Sequence, residues 1–182
     1  MPSPIGHCLA GLSVAWSLHP LGPIRRLAPR ARARLVLACA ALPVLPDLDI
    51  LVGAHRGPSH SLGVALIVAM VAAAVAGRKR LPPSAVTSVA LMCGLAYATH
   101  LLLDWLGRDS STPVGLMALW PWSSTFYHSG ADVFFDVERR YWLVDRFIFG
   151  NMRAIGWEVV VLLPLAGLAW WVGEGRRTTL TR

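Results

Sequence analysis

His7, Asp47, Asp49, His60, His100 and Asp104 are the residues of this chain whose types and spacing suit a metal ion. Asp47 and Asp49 lie in Leu45-Pro46-Asp47-Leu48-Asp49, and His60 in His55-Arg56-Gly57-Pro58-Ser59-His60-Ser61. His100 and Asp104 lie in Ala98-Thr99-His100-Leu101-Leu102-Leu103-Asp104. Carboxylates and neutral imidazoles supply the oxygen and nitrogen ligands that a divalent ion takes. His100 and Asp104 are four apart, so a helix presents both on one face. Asp47 and Asp49 are two apart, so an extended or turn-like segment presents both on one side. The plainer readings are a His–Asp hydrogen bond between helices and capping aspartates in a solvated loop.

Charge then bears on the number of ions. Asp47, Asp49 and Asp104 carry three negative charges when ionised. One divalent ion leaves such a site negative, and two leave an excess that a bridging hydroxide neutralises. Two ions are therefore expected, zinc by ligand type, with manganese or iron as alternatives. A metal pair about 3.5–4 Å apart can activate a water and clamp an attacked phosphoryl or carbonyl group. Asp49 or Asp104 could serve as general base. Arg56 offers a planar fork that fits a substrate phosphate or carboxylate, and reads equally well as an arginine at headgroup level.

The elements that must position these groups are apolar. Of 182 residues, 55% are hydrophobic and 15% charged, against about 25% charged in a typical soluble domain. Mean hydropathy is +0.53. This is the composition of an integral membrane protein. The net charge of +7 sits at the ends of apolar runs, which argues for topology rather than for nucleic acid as a partner. Cys8, Cys39 and Cys93 lie inside apolar runs with no CxxC spacing, so they read as small packing residues. The first apolar stretch has no basic n-region and contains His7, so no cleavable signal peptide is expected.

About five helices follow in order, forming one membrane-embedded, all-α bundle over residues 1–182. Ser3-Pro4 opens the first, to about Leu18. The second runs from about Arg32 to Leu45, bent or ended by Pro43 and Pro46. The third restarts at Gly57-Pro58-Ser59 and reaches Gly77. The fourth, Ser84 to Leu106, is long enough to span a bilayer, which takes about 20 residues. The last runs from about Trp157 to Val172. Between them, residues 107–156 form an aromatic and charged outer-face segment, with Trp120-Pro121-Trp122 as an interfacial belt. Gly11, Gly63 and Gly94 read as points of close helix packing.

Basic residues favour the cytoplasmic side. Placing Arg25 to Arg34 inside also puts Arg78-Lys79-Arg80 and the Arg176-Arg177 tail inside. His7, the Asp47–His60 stretch and the His100–Asp104 pair then all fall at the extracytoplasmic end. Alternating helices could easily have scattered them, so this convergence is the main sign of a site.

The order of these motifs (an early His, LPDLD, HRGPSHS, ATHLLLD, then WPW) resembles the YdjM-like membrane-bound metal-dependent hydrolases from about His7 to Trp122. More loosely, the His/Asp pattern on helices is similar to zinc-dependent phospholipase C and P1-type nucleases. The resemblance implies a multi-pass inner-membrane hydrolase whose metal ligands come from His7, Asp47, Asp49, His60, His100 and Asp104. It departs from the usual family opening in having Gly6, rather than Thr, before the His. The expected function is hydrolysis of an ester or phosphoester, lipid-linked given a site at headgroup level, by a metal-activated water. Membrane lipids are the expected partners. The alternatives are a metal-binding transporter, which needs ionisable groups at mid-membrane depth on several helices, and a non-catalytic membrane scaffold.

Overall fold

Prolines and serines set most of the helix boundaries. The computed structural model describes residues 1–19, 22–52 and 56–179. Ser3 caps helix α1 (Pro4–Leu18), its hydroxyl accepting from the Gly6 amide at 3.3 Å. Pro4 stands at the first helical position, where a missing N–H costs nothing. A one-turn helix α2 (Gly22–Arg25) follows, then α3 (Pro29–Ala41), again opened by proline.

The second expected helix ends sooner than the sequence predicts. α3 stops at Ala41, and Leu42–Val52 continues as a 3-10 helix. Pro43 and Pro46 each lack an amide donor, and the Pro46 ring would collide with the Leu42 carbonyl in an α-helix. The tighter winding changes the side-chain directions. At three residues per turn, positions two apart do not face the same way. Asp47 and Asp49 therefore diverge, contrary to the extended-segment expectation.

Helix α4 (Leu62–Arg78) also starts later than the predicted restart at Gly57-Pro58-Ser59, because Ser61 is its cap. The Ser61 hydroxyl accepts from the Val64 amide at 3.2 Å and donates to the Pro58 carbonyl at 2.6 Å. His60 is left just outside the helix. α5 (Pro83–Leu106) matches its predicted span within a residue. α6 (Asn151–Thr179) begins earlier than Trp157 and is entered through a π-turn at Arg146–Gly150. Asn151 anchors that start, its amide group exchanging hydrogen bonds with the Glu138 backbone at 2.8 and 2.9 Å.

The described residues thus form an all-α fold of six α-helices, five of them more than one turn long. Two segments are long and apolar enough to cross a membrane, Pro83–Leu106 and Arg146–Gly173. The 24 residues of the first reach about 36 Å, against a hydrocarbon core of about 30 Å. α1 and α4 are apolar but shorter. Leu66, Met70, Leu91, Leu102, Leu163 and Trp171 are among many large apolar side chains left exposed on α4, α5 and α6. That is a surface for lipid rather than for water.

α1 lies at the centre, against α3, α5 and α6, while α4 packs along α5. A Cβ on Gly11 would lie 2.0 Å from the Cys39 carbonyl oxygen, so α1 and α3 meet backbone to backbone. Gly94 packs on Ala69 of α4, as expected of a helix contact, whereas Gly63 packs on the Trp120 carbonyl of the segment that follows α5. Cys39 and Cys93 are buried among Ala15, Ile24, Leu35 and Met92, as packing thiols. Residues 107–145 lie across the end of the bundle, tied by paired bonds between Leu116 and Tyr127 and by the Arg108 amide to the Phe134 carbonyl.

Candidate metal centre

Four separate stretches meet at that end. α1 brings His7, the 3-10 segment brings Asp47 and Asp49, the turn before α4 brings His60, and the last turns of α5 bring His100 and Asp104. His7, His60 and His100 are completely buried and Asp104 is 4% exposed. The convergence expected from the alternating helices is present.

Asp104 is at the centre. Its Oδ1 lies 3.5 Å from His7 Nε2, and its Oδ2 lies 3.1 Å from His100 Nε2 and 3.7 Å from His60 Nε2. Asp47 completes the ring, with Oδ2 4.0 Å from His7 Nε2 and Oδ1 3.8 Å from His60 Nε2. The His7 and His100 rings stack with centroids 4.1 Å apart, and His60 meets His100 edge-on at 4.7 Å. Two sets of potential ligand atoms, from His7, His100 and Asp104 and from Asp47, His60 and His100, each fall within 4.8 Å of one another.

Hydrogen bonding separates the inner groups from their supports. His100 Nδ1 is 2.6 Å from the Pro43 carbonyl oxygen. A carbonyl only accepts, so Nδ1 carries the hydrogen and Nε2 is left to coordinate. His60 is oriented in a similar way. Its Nδ1 faces Asp49 Oδ2 at 3.3 Å and Ser59 Oγ at 3.0 Å, and that hydroxyl donates to Asp49 at 2.7 Å. Asp49 therefore touches the far side of the His60 ring, while Asp47 touches the near side. A carboxylate or carbonyl behind a coordinating imidazole is the usual support of a metal-bound histidine. Tyr97 fixes the same turn, donating to the Ser59 carbonyl at 2.7 Å.

The inner atoms lack such partners. Both ring nitrogens of His7, Nε2 of His100, Oδ1 of Asp47 and both oxygens of Asp104 are buried without a hydrogen bond among the described residues. Buried polar atoms left unbonded cost about 1–3 kcal/mol each, and one cation shared among them would satisfy several together. His100 Nε2 and Asp104 Oδ2 stand close without hydrogen-bond geometry, as ligands of a shared ion do. The donor set fits a divalent ion of the zinc type. Burial pushes the Asp47 carboxyl up, but the neighbouring His60 and His100 imidazoles outweigh it and hold the group below its ordinary value. It is ionised at neutral pH.

The chain matches, over residues 1–176, the family described as YdjM inner membrane protein. The chain belongs to that family. No curated protein and no solved structure matches it. The YdjM assignment makes this a membrane protein, in agreement with the two candidate spans and the apolar faces that α4, α5 and α6 expose. The match extends the resemblance past Trp122 to nearly the whole chain, so residues 107–145 and α6 belong to the YdjM unit too.

Among the expected site residues, Arg56 stands apart. Its Nη1 pairs with Asp109 at 2.5 Å and also donates to the carbonyls of Ser111 and Pro113. Its Nη2 donates to Ser111 Oγ at 2.7 Å, and Nε to Met1 Sδ at 3.0 Å. The fork thus ties the turn before His60 to residues 109–113. Both partners of the pair are buried, with side chains 7% and 3% exposed. Arg56→Ala should therefore destabilise the protein by about 3–5 kcal/mol by leaving Asp109 uncompensated. Thermal unfolding in detergent reads this as a much lower midpoint, with metal content per folded chain retained. An unchanged midpoint would return Arg56 to the substrate.

His128 faces the Gly107 carbonyl at 2.9 Å and Asp132 at 4.0 Å, away from the cluster. His55 lies outside the described residues. Asp109, the partner of Arg56, and Glu158 are not among the site residues expected from the sequence. Glu158 is fully buried in α6, and a lone carboxyl within an apolar span is itself a signal.

Proposed function

We propose that this protein is a multi-pass inner-membrane hydrolase that holds one divalent ion, zinc by ligand chemistry, and cleaves an ester or phosphoester at the outer membrane surface. The observation that carries this reading is the buried set of imidazole nitrogens and carboxylate oxygens from separate parts of the chain, several of them without hydrogen bonds. His7, Asp47, His60, His100 and Asp104 would hold the ion, with Asp49 and the Pro43 carbonyl supporting His60 and His100. The expectation of two ions counted Asp49 among the ligands. With Asp49 behind His60, the inner carboxylates are Asp47 and Asp104, and one divalent ion neutralises them. His100 also has a single nitrogen to give, so it cannot serve both candidate sets.

Bound there, a divalent ion supplies Lewis acidity toward a water and toward the scissile group. Asp104 is enclosed by three rings and Asp49 is bonded to Ser59, whereas the Asp47 side chain is 20% exposed. Asp47, the most open of the three, thus marks the side from which a water and substrate would reach the ion. An apolar groove of about 380 Å³ beside the outer end of α5, lined by Leu62, Ala98, Leu102, Trp105, Leu119 and Tyr127, suits the chain of a lipid-linked substrate. A transporter would spread ionisable groups along several helices, and here they gather at one end.

Elemental analysis of detergent-purified protein tests the reading. About one zinc per chain is expected, lost in His100→Ala, together with chelator-sensitive hydrolysis in a screen of phospholipids and phosphodiesters. Bound metal without hydrolysis of any of these would favour the scaffold. Protein that takes up no metal after reconstitution would end the hydrolase reading.

A further inference from the structure

We infer that Glu158 is a positioning residue for His7, anchoring the first turn of α1 to α6 so that the imidazole enters the metal cluster. The inference rests on the metal reading above. Glu158 lies in the apolar segment Arg146–Gly173 and is completely buried. An acidic side chain at that depth is costly and needs a reason to be there. Its reason is the start of α1. Oε1 accepts from the Ser3 amide at 2.7 Å, and Oε2 accepts from the Ser3 hydroxyl. That hydroxyl in turn accepts from the Gly6 amide, and the His7 amide donates to the Ser3 carbonyl at 3.1 Å. One carboxyl group therefore terminates a chain of bonds running through the N-cap to the residue that carries the imidazole. It also sits at the positive end of the α1 dipole.

Glycine at position 6 belongs to the same device. A Cβ there would lie 2.6 Å from Glu158 Oε2, so the carboxyl occupies the space a side chain would fill. His7 needs an external anchor because neither of its ring nitrogens has a hydrogen bond among the described residues. His100 is oriented through its ring by Pro43, and His60 by Asp49 and Ser59. For His7 the orientation comes through the backbone.

The test is a double-mutant cycle on the full chain in detergent, read by zinc affinity and by the visible spectrum of bound cobalt(II). Glu158→Ala should weaken zinc binding about 10- to 100-fold, the usual loss when a ligand's support is removed, and shift the cobalt spectrum toward that of His7→Ala. Glu158→Gln, which keeps the shape and an acceptor for the Ser3 amide, should stay closer to wild type. Adding Glu158→Ala to His7→Ala should weaken binding no further, since the two act through one ligand. Full additivity, or Glu158→Ala binding zinc like wild type, overturns the inference. Should Glu158→Ala not fold, Ser3→Ala removes one of the two bonds and carries the same cycle. Hydrogen exchange at the Gly6 and His7 amides of metal-free protein gives a readout independent of the ion. Faster exchange in Glu158→Ala supports the anchor, and unchanged exchange overturns it. Wild-type protein that binds neither metal overturns the metal reading instead.

Discussion

Asp104→Asn is expected to abolish metal uptake, and hydrolysis with it, while leaving the metal-free protein at least as stable as wild type. Among the described residues, Asp104 is the one carboxylate within 3.7 Å of all three imidazoles. Asparagine keeps its volume but removes the charge and turns one oxygen into a donor. The inner set then has a single carboxylate, Asp47, to balance a divalent ion. A loss of at least about 100-fold in zinc affinity follows, beyond that of a supporting residue. The metal-free protein responds differently. There the two oxygens of Asp104 are buried without hydrogen bonds, next to the equally unbonded Nε2 of His100. An asparagine amide can donate to that nitrogen, replacing an unsatisfied contact by a bond. Thermal melts with and without zinc separate the two effects. In wild type, zinc at a hundred times its Kd adds about 2.7 kcal/mol. In Asp104→Asn that increment should vanish, while the metal-free midpoint stays level or rises. A variant that still takes up zinc within threefold of wild type would remove Asp104 from the ligand set.

Much of this centre was legible in the sequence. His100 and Asp104 lie four apart in an unbroken apolar helix, where periodicity fixes their shared face. His7, His60 and that pair fall at one end as soon as the helices alternate. What the sequence did not yield depended on backbone that no periodicity describes. The double proline at 43 and 46 turned an expected loop into a 3-10 helix, and with it turned Asp49 from a neighbour of Asp47 into the support of His60. The helix expected to restart at Gly57-Pro58-Ser59 instead begins after Ser61, which leaves Ser59 in the turn to bond Asp49. Arg56 looked available for a substrate because its partner, Asp109, lies more than fifty positions away. Glu158 carried a readable signal, a carboxyl alone in an apolar span, but its partner Ser3 could be found only once α1 and α6 were seen to pack together.

Gly11→Val is expected to act on folding itself. Gly11 is four residues after His7, so both face the same side of α1. A Cβ at position 11 would stand 2.0 Å from the Cys39 carbonyl oxygen and 2.7 Å from Pro43 Cγ. Neither neighbour can yield easily, since one is helix backbone and the other a proline ring at the start of the 3-10 segment. α1 would have to move away from α3, carrying His7 out of the cluster and disturbing the Pro43 carbonyl that orients His100. Overpacking a core costs about 1–3 kcal/mol where side chains can shift. Here the obstruction is backbone, so a loss at or above the top of that range is expected, with little folded protein recovered. Gly11→Ala should already lower the melting midpoint in detergent. Gly156→Ala is the control. It too lies in a helix, but a Cβ there meets nothing within 4 Å, so helix propensity alone should leave it neutral or up to about 1 kcal/mol more stable. If Gly11→Ala instead melts with Gly156→Ala, α1 and α3 do not pack backbone to backbone, and the placement of His7 beside Asp104 loses its main support.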